Sequence, residues 1–338
     1  MTDHPGPSGP LHRVVEGTPH QPDPDVPHQP DPGTAHSADP GAAHPPGPVP
    51  GPPVGERSPA GEGVPAVVHS PSGPRRERVV LGPRRERVVL VHGFTQTLTS
   101  WGPVAERLAG QYEVVRVDLP GHGASGEVRA GFEEAAGLVG EAGGVGVYVG
   151  YSLGGRLCLR LALERPALVR GLVLIGASPG IADPGQREVR RDADEALARR
   201  IERDGIEVFL DAWLAGPLFS SLPLEAAGRE ERLANTAKGL ASALRRLGTG
   251  VQESLWDRLG ELRPPALLVA GERDPKFAGI AREMAAAVGP AARVAVVAGA
   301  GHAVHLERPA ETAALVEGFV AAGLGREAGA EGRREPEA

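Results

Sequence analysis

Six short runs of Val and Leu recur along this chain, at residues 87–91, 114–118, 145–149, 171–175, 266–270 and 293–297, each followed by a segment of helical periodicity. Strands that are apolar at nearly every position must be covered on both faces. Their alternation with helices predicts an α/β fold, a mostly parallel central sheet with helices on either side. One interval breaks the rhythm. Between residues 175 and 267 the pattern is helical and Arg-rich, without a strand. It reads as a helical cap, residues 180–262, inserted between two parts of a core at residues 64–179 and 263–323.

The rest of the chain has a different composition. Residues 1–93 contain no Phe, Tyr or Trp, and 20 of the 34 prolines lie in residues 1–74. Such a segment buries too little apolar surface to offset its ordering entropy, so residues 1–63 are expected to be a disordered tail. Six histidines spaced eight apart, from His4 to His44, run through it. Flexible Pro-rich spacers offer a metal no preorganised geometry, so the repeat reads as an expanded linker rather than a metal site. The charged, Gly-rich residues 324–338 are likewise expected to fray.

Residues 73–81 and 82–90 print the same nine letters, GPRRERVVL. Only the second copy continues into VHGF, so it is taken as the inner strand. The first copy is expected to be an insertion at the sheet edge that the fold does not need. Cys158 is the only cysteine, which excludes an internal disulfide framework. There is no basic-then-apolar leader and no apolar run of about 18 residues, so the cytoplasm is expected and a membrane is not. A net charge of −7 argues against nucleic acid as a general partner.

The most informative motif is VYVGYSLGGRL, in which residues 150–154 form G-x-S-x-G between an apolar strand and a helix. Flanking glycines permit a sharp turn that pushes the hydroxyl of Ser152 out of the sheet. A serine needs a neighbouring imidazole to react. GERDPKF places Asp274 just past a strand, and GAGHAVHLERP does the same for His302. The chain order Ser, Asp, His is that of the α/β-hydrolase fold, and ends of parallel strands are where sites collect. Asp274 would orient His302, and His302 would take the Ser152 proton. His305 is a competing base. His122, in DLPGHGAS, reads as a turn residue. The HGF loop suggests the amides of Phe94 and Leu153 as oxyanion donors, worth roughly 3–4 kcal/mol of barrier each.

Taken together, VHGFTQTLTSW, DLPGHGAS, GYSLGGR, GASPGI, GTGVQESLW and GERDPKF resemble the MenH family of menaquinone biosynthesis, the 2-succinyl-6-hydroxy-2,4-cyclohexadiene-1-carboxylate synthases. The resemblance covers about residues 79–320. It implies a lyase of the α/β-hydrolase fold, with an inserted helical cap, that eliminates pyruvate from 2-succinyl-5-enolpyruvyl-6-hydroxy-3-cyclohexene-1-carboxylate, with no cofactor and no metal. The triad would then act as a base on a ring proton.

The substrate implied is a small anion with three carboxylates, which calls for cations in its pocket. Arg156 lies one helical turn past Ser152. The resemblance adds Arg190, Trp213 and Arg232 in the cap, and Lys276 beside Asp274. Tyr151 either lines the site or packs in the core. The expected assembly is a monomer or a weak homo-oligomer. The alternative enzyme is a hydrolase (carboxylesterase, thioesterase or C–C bond hydrolase) that uses the same triad for acyl transfer. A non-catalytic binding protein on this scaffold would normally lose a triad member, and none is missing. One weakness stands out: residues 126–151 are Gly-rich, and each interior Gly costs a helix about 1 kcal/mol relative to Ala.

Overall fold

The computed structural model describes residues 9–16 and 85–331. Among them, seven strands form one sheet: β1 (Arg13–Glu16), β2 (Arg87–Val91), β3 (Glu113–Val117), β4 (Gly146–Tyr151), β5 (Val169–Ile175), β6 (Ala266–Gly271) and β7 (Ala292–Val297). Their spatial order is β1-β3-β2-β4-β5-β6-β7, parallel throughout except that β1 runs antiparallel to β3. The six apolar runs of the sequence are the six parallel strands, with ends displaced by at most two residues.

The helices are α1 (Gly102–Leu108), α2 (Phe132–Gly143), α3 (Leu153–Glu164), α4 (Pro184–Asp204), α5 (Ile206–Leu214), α6 (Arg229–Arg232), α7 (Ala237–Leu247), α8 (Pro275–Val288), α9 (Val304–Glu307) and α10 (Pro309–Glu331). Two apolar layers explain why the strands do not alternate. In β2, Val89 and Val91 join a cluster with Phe132 and Val139 of α2 and Leu157 and Leu161 of α3. Val88 and Leu90 join the opposite cluster, with Val104 and Leu108 of α1 and Val316 and Phe319 of α10. The central strands therefore need apolar side chains on both faces, whereas β7 at the sheet edge is fully buried only at Val297.

The Gly-rich segment does form a helix, α2. A Cβ at Gly140 would lie 2.7 Å from Leu161 Cδ1, and one at Gly143 would lie 2.7 Å from Tyr148 Oη. These glycines lower helix propensity but let α2 approach α3 and β4 closely, and tertiary packing outweighs the local cost.

Two boundaries differ from the sequence expectation. The tail expected to be disordered contains β1. Leu11 is buried, Arg13 donates to Ala142 O at 2.6 Å, and Arg116 pairs with Glu16. Six residues, LHRVVE, are too few to lift the tail's average composition, yet they suffice to cover the open edge of β3. At the other end, α10 continues to Glu331, seven residues past the expected start of fraying at 324. Leu, Arg, Glu and Ala fill six of residues 324–331 and favour helix, and extending an existing helix avoids the cost of nucleation despite Gly325 and Gly329. The first copy of the duplicated segment (73–81), the histidine repeat apart from His12, and the proposed start of the core at residue 64 lie outside the described residues. The second copy supplies β2.

The cap lies between β5 and β6. Asp183 caps α4 by accepting from Gln186 N at 2.7 Å. Ala198 and Ile201 of α4, Phe209 and Leu210 of α5, and Leu240 and Leu244 of α7 form an apolar cluster of their own. Among the described residues, no helix is long and apolar enough to cross a membrane.

Candidate active site

Ser152 occupies the turn between β4 and α3 with φ 49° and ψ −108°. A non-glycine residue there is strained, and such strain persists only when its surroundings enforce it. Here the Ser152 amide donates to Ile175 O at 2.9 Å. A Cβ at Gly154 would lie 2.3 Å from Val91 O, and one at Gly155 would lie 2.6 Å from Ala177 Cβ. The elbow motif is therefore a packing requirement: α3 can reach the sheet this closely only through glycine.

Asp274 and His302 arrive from the ends of β6 and β7. Asp274 caps α8, its Oδ1 accepting from Phe277 N at 3.2 Å, while its Oδ2 lies 2.7 Å from His302 Nδ1. A carboxylate only accepts, so Nδ1 carries a proton, and in the neutral imidazole Nε2 is the nitrogen with the lone pair. His302 and Ser152 line one cavity of about 490 Å³.

Phe94 and Leu153 also line this cavity. Leu153 is the first residue of α3, where helix amides point outward without intrahelical partners. The Phe94 ring meets Trp213 of the cap edge-on, with centroids 5.5 Å apart. Trp213 is thus part of the cavity wall, as are Arg156, Arg190 and Lys276, so the cavity holds three cations against one carboxylate, Asp194.

These cations are not equivalent. Arg156 is 9% exposed and donates to Gln252 Oε1 at 2.6 Å and to Leu247 O at 2.8 Å. Burial, with a further contribution from Arg190, lowers its pKa to about 9, so an arriving anion relieves an existing electrostatic cost. Arg190 is half-exposed and donates to Asp194 Oδ1 at 2.8 Å. This i,i+4 pair was readable in the sequence, although Asp194 was not anticipated as a site residue. Lys276 lies 5.6 Å from the Phe277 ring centroid.

Three expectations need correction or resolution. Arg232 is only 1% exposed and takes no part in the cavity wall. It donates instead to Ala227 O at 2.8 Å and to the Thr95 hydroxyl. An Arg-rich cap gives no sequence signal for which guanidinium turns inward to the loop and which to the cavity. Tyr151 is a core residue, packed between the rings of His302 at 5.3 Å and His305 at 4.3 Å. His305 is buried away from the cavity, and its Nε2 lies 3.1 Å from Gln96 Nε2. Since Gln96 Oε1 accepts from Gly93 N at 3.0 Å, His305 supports the HGF loop and does not compete with His302.

Sequence reasoning also missed Asp118. Its carboxylate accepts from Leu98 N at 2.8 Å, Ala124 N at 3.0 Å and His12 Nδ1 at 3.1 Å, tying together both loops beside the elbow and the N-terminal strand. An Asp directly after an apolar strand was the available signal. Among the described residues, no cluster of three or more His, Cys, Asp or Glu is arranged to hold a metal.

A parallel sheet with one antiparallel edge, a strained serine elbow and an inserted cap define an α/β hydrolase, and residues 88–315 match the Alpha/beta hydrolase family. Within it, the chain belongs to the MenH family of 2-succinyl-6-hydroxy-2,4-cyclohexadiene-1-carboxylate synthases. It is 36% identical, over 68% of its length and 88% of the relative's, to a Bacillus subtilis (strain 168) protein provisionally named as such a synthase. An Enterobacter sp. (strain 638) protein of that name is 33% identical over 67% of this chain and 88% of its own. Among solved structures, MenH from S. aureus superposes with a TM-score of 0.67 at 32% identity, covering 72% of this chain and 96% of that one.

Proposed function

We propose that this protein eliminates pyruvate from 2-succinyl-5-enolpyruvyl-6-hydroxy-3-cyclohexene-1-carboxylate, with Ser152, His302 and Asp274 acting as the base. The observation that carries this reading is one cavity holding the Ser152 hydroxyl and the His302 imidazole together with Arg156, Arg190 and Lys276. A pocket built for neutral esters has no use for three cations, whereas a tricarboxylate needs them.

The bonding changes follow from the structures of substrate and product. The ring proton at C2 is acidic because it lies α to the succinyl carbonyl. The Ser152 oxygen removes it while His302 Nε2 takes the hydroxyl proton, and Asp274 stabilises the imidazolium. The resulting enolate oxygen is held by the Phe94 and Leu153 amides. Its electrons form the C2–C3 double bond, the C3–C4 double bond moves to C4–C5, and the C5–O bond breaks. The departing enolpyruvate takes up the proton from His302 and tautomerises to pyruvate. No water is consumed, so the same hydroxyl that would attack an ester serves as a base when carbon acidity is what the pocket presents. Arg156 and Arg190 hold carboxylates of the substrate, and Trp213 packs beside the ring.

The test is pyruvate release, coupled to lactate dehydrogenase, set against p-nitrophenyl acetate cleavage. Saturable pyruvate formation with little esterase activity is expected. Brisk ester cleavage without pyruvate would replace the lyase by a hydrolase.

A further inference from the structure

Thr95 follows Phe94 and is fully buried at φ 69°. A left-handed backbone is uncommon for any side chain and is an outlier for a β-branched one. Every polar group of this residue is engaged. Its amide donates to His122 Nε2 at 3.4 Å, its carbonyl accepts from Asn235 Nδ2 at 2.7 Å, and its hydroxyl is bonded by Arg232 Nη1.

The three partners are themselves held. His122 Nδ1 lies 3.0 Å from Pro120 O and so carries the proton, which leaves Nε2 as an acceptor. Asn235 Oδ1 accepts from Gly123 N at 2.9 Å, so this one amide bridges the loop after β2 and the loop after β3. Arg232 is fixed by Ala227 O at 2.8 Å. Arg232 and Asn235 belong to the cap, at the end of α6 and just beyond it. The cap therefore does more than cover the cavity. It reaches past it and grips the loop that bears Phe94.

We propose that Arg232, Asn235 and His122 form a clamp on Thr95 that holds the Phe94 amide aimed at the reacting oxygen, which makes the cap a structural part of the oxyanion site. These are positioning residues, since none of the three lines the cavity. The inference rests on Phe94 as oxyanion donor in the function proposed above. Strain at Thr95 gives it physical content: released from its three partners, the backbone relaxes toward an ordinary conformation and carries the neighbouring peptide with it.

The experiment measures two rates in the full chain. One is pyruvate release. The other is phosphonylation of Ser152 by a fluorophosphonate, whose phosphoryl oxygen occupies the oxyanion site whatever the natural substrate is. Thr95→Val keeps the branched shape and deletes the bond to Arg232, Thr95→Ser keeps that bond, and Asn235→Ala removes the bridge between loops. Thr95→Val and Asn235→Ala should each lower kcat and the phosphonylation rate together by about 30–100-fold, with KM within about threefold. Thr95→Ser should restore both. Arg232→Met should behave like Thr95→Val, which carries the test should Arg232→Met not fold. A fall in Tm with both rates unchanged would reduce the clamp to ordinary packing and overturn the proposal. A rise in KM alone for Arg232→Met would make that residue a substrate contact and overturn it as well. If the wild type releases no pyruvate but the variants slow phosphonylation, the lyase reading fails and the clamp stands.

Discussion

Replacing Arg156 by Met keeps most of the side chain's length and removes its charge, and the structure sets both consequences. Burial lowers the pKa from 12.5 to about 9, so holding the cation there costs the fold on the order of 5 kcal/mol. Its removal also deprives two buried acceptors, Gln252 Oε1 and Leu247 O, of their donor. An unsatisfied buried acceptor costs about 1–3 kcal/mol, so the two together cost about 2–6 kcal/mol. The net lies between about 3 kcal/mol stabilising and about 1 kcal/mol destabilising, so Tm should fall by no more than about 4 °C and rise by up to about 12 °C. Substrate binding has no such compensation. A charged hydrogen bond to a carboxylate is worth about 1.5–3 kcal/mol, so KM for pyruvate release should rise about 10–150-fold. Steady-state kinetics and a thermal melt on the same sample decide it. A KM within threefold of wild type would refute Arg156 as a substrate contact, and a Tm loss above about 10 °C would mark it as a structural group.

Asp274→Asn keeps the shape of the carboxylate but cannot hold His302 in the required tautomer, so kcat should fall by about four orders of magnitude with little change in Tm. Gly154→Ala sets a methyl 2.3 Å from Val91 O, and it should destabilise by about 1–3 kcal/mol or more and reduce Ser152 reactivity, measured by melting and phosphonylation. His92, His122 and His305 are buried, and desolvation depresses all three, His92 to about 4 and His122 to about 3. They stay neutral in the fold while the unfolded chain protonates near 6.5, so stability is complete above that pH and is lost as pH falls toward 4. With three protons taken up on unfolding, the loss should approach about 4 kcal/mol per pH unit, and a Tm flat from pH 7 to 4.5 would contradict it. Deleting residues 73–81 should leave Tm and activity unchanged, because the second copy already supplies β2. A large loss of Tm would show the first copy to be built into the sheet.

Much of this molecule was legible in advance because its central strands β2, β4, β5 and β6 are buried on both faces. That forces continuous apolar runs, and those runs located β2 to β7 almost to the residue. The elbow was legible for a related reason: only Gly fits at 154 and 155. By contrast, β1 is half-exposed, four residues long and embedded in proline-rich sequence. Its place depends on β3's free edge, which no local pattern reveals. The orientation of long side chains was equally hidden. Arg156 and Arg232 look alike in sequence, yet one faces the cavity and the other faces Thr95. Tyr151, next to Ser152, points into the core beside Val147 and Val149, as alternation along β4 requires. Thr95, Asn235 and Asp118 act through backbone amides and carbonyls. Such partners become visible only once the loops have been placed.

The most direct measurement follows both products of one turnover. Conjugated-diene absorbance and pyruvate should appear from the enolpyruvyl substrate in equal amounts, at rates that fall together by at least about three orders of magnitude in Ser152→Ala. Diene formation that survives the loss of the hydroxyl would contradict a serine–histidine base at the centre of this site.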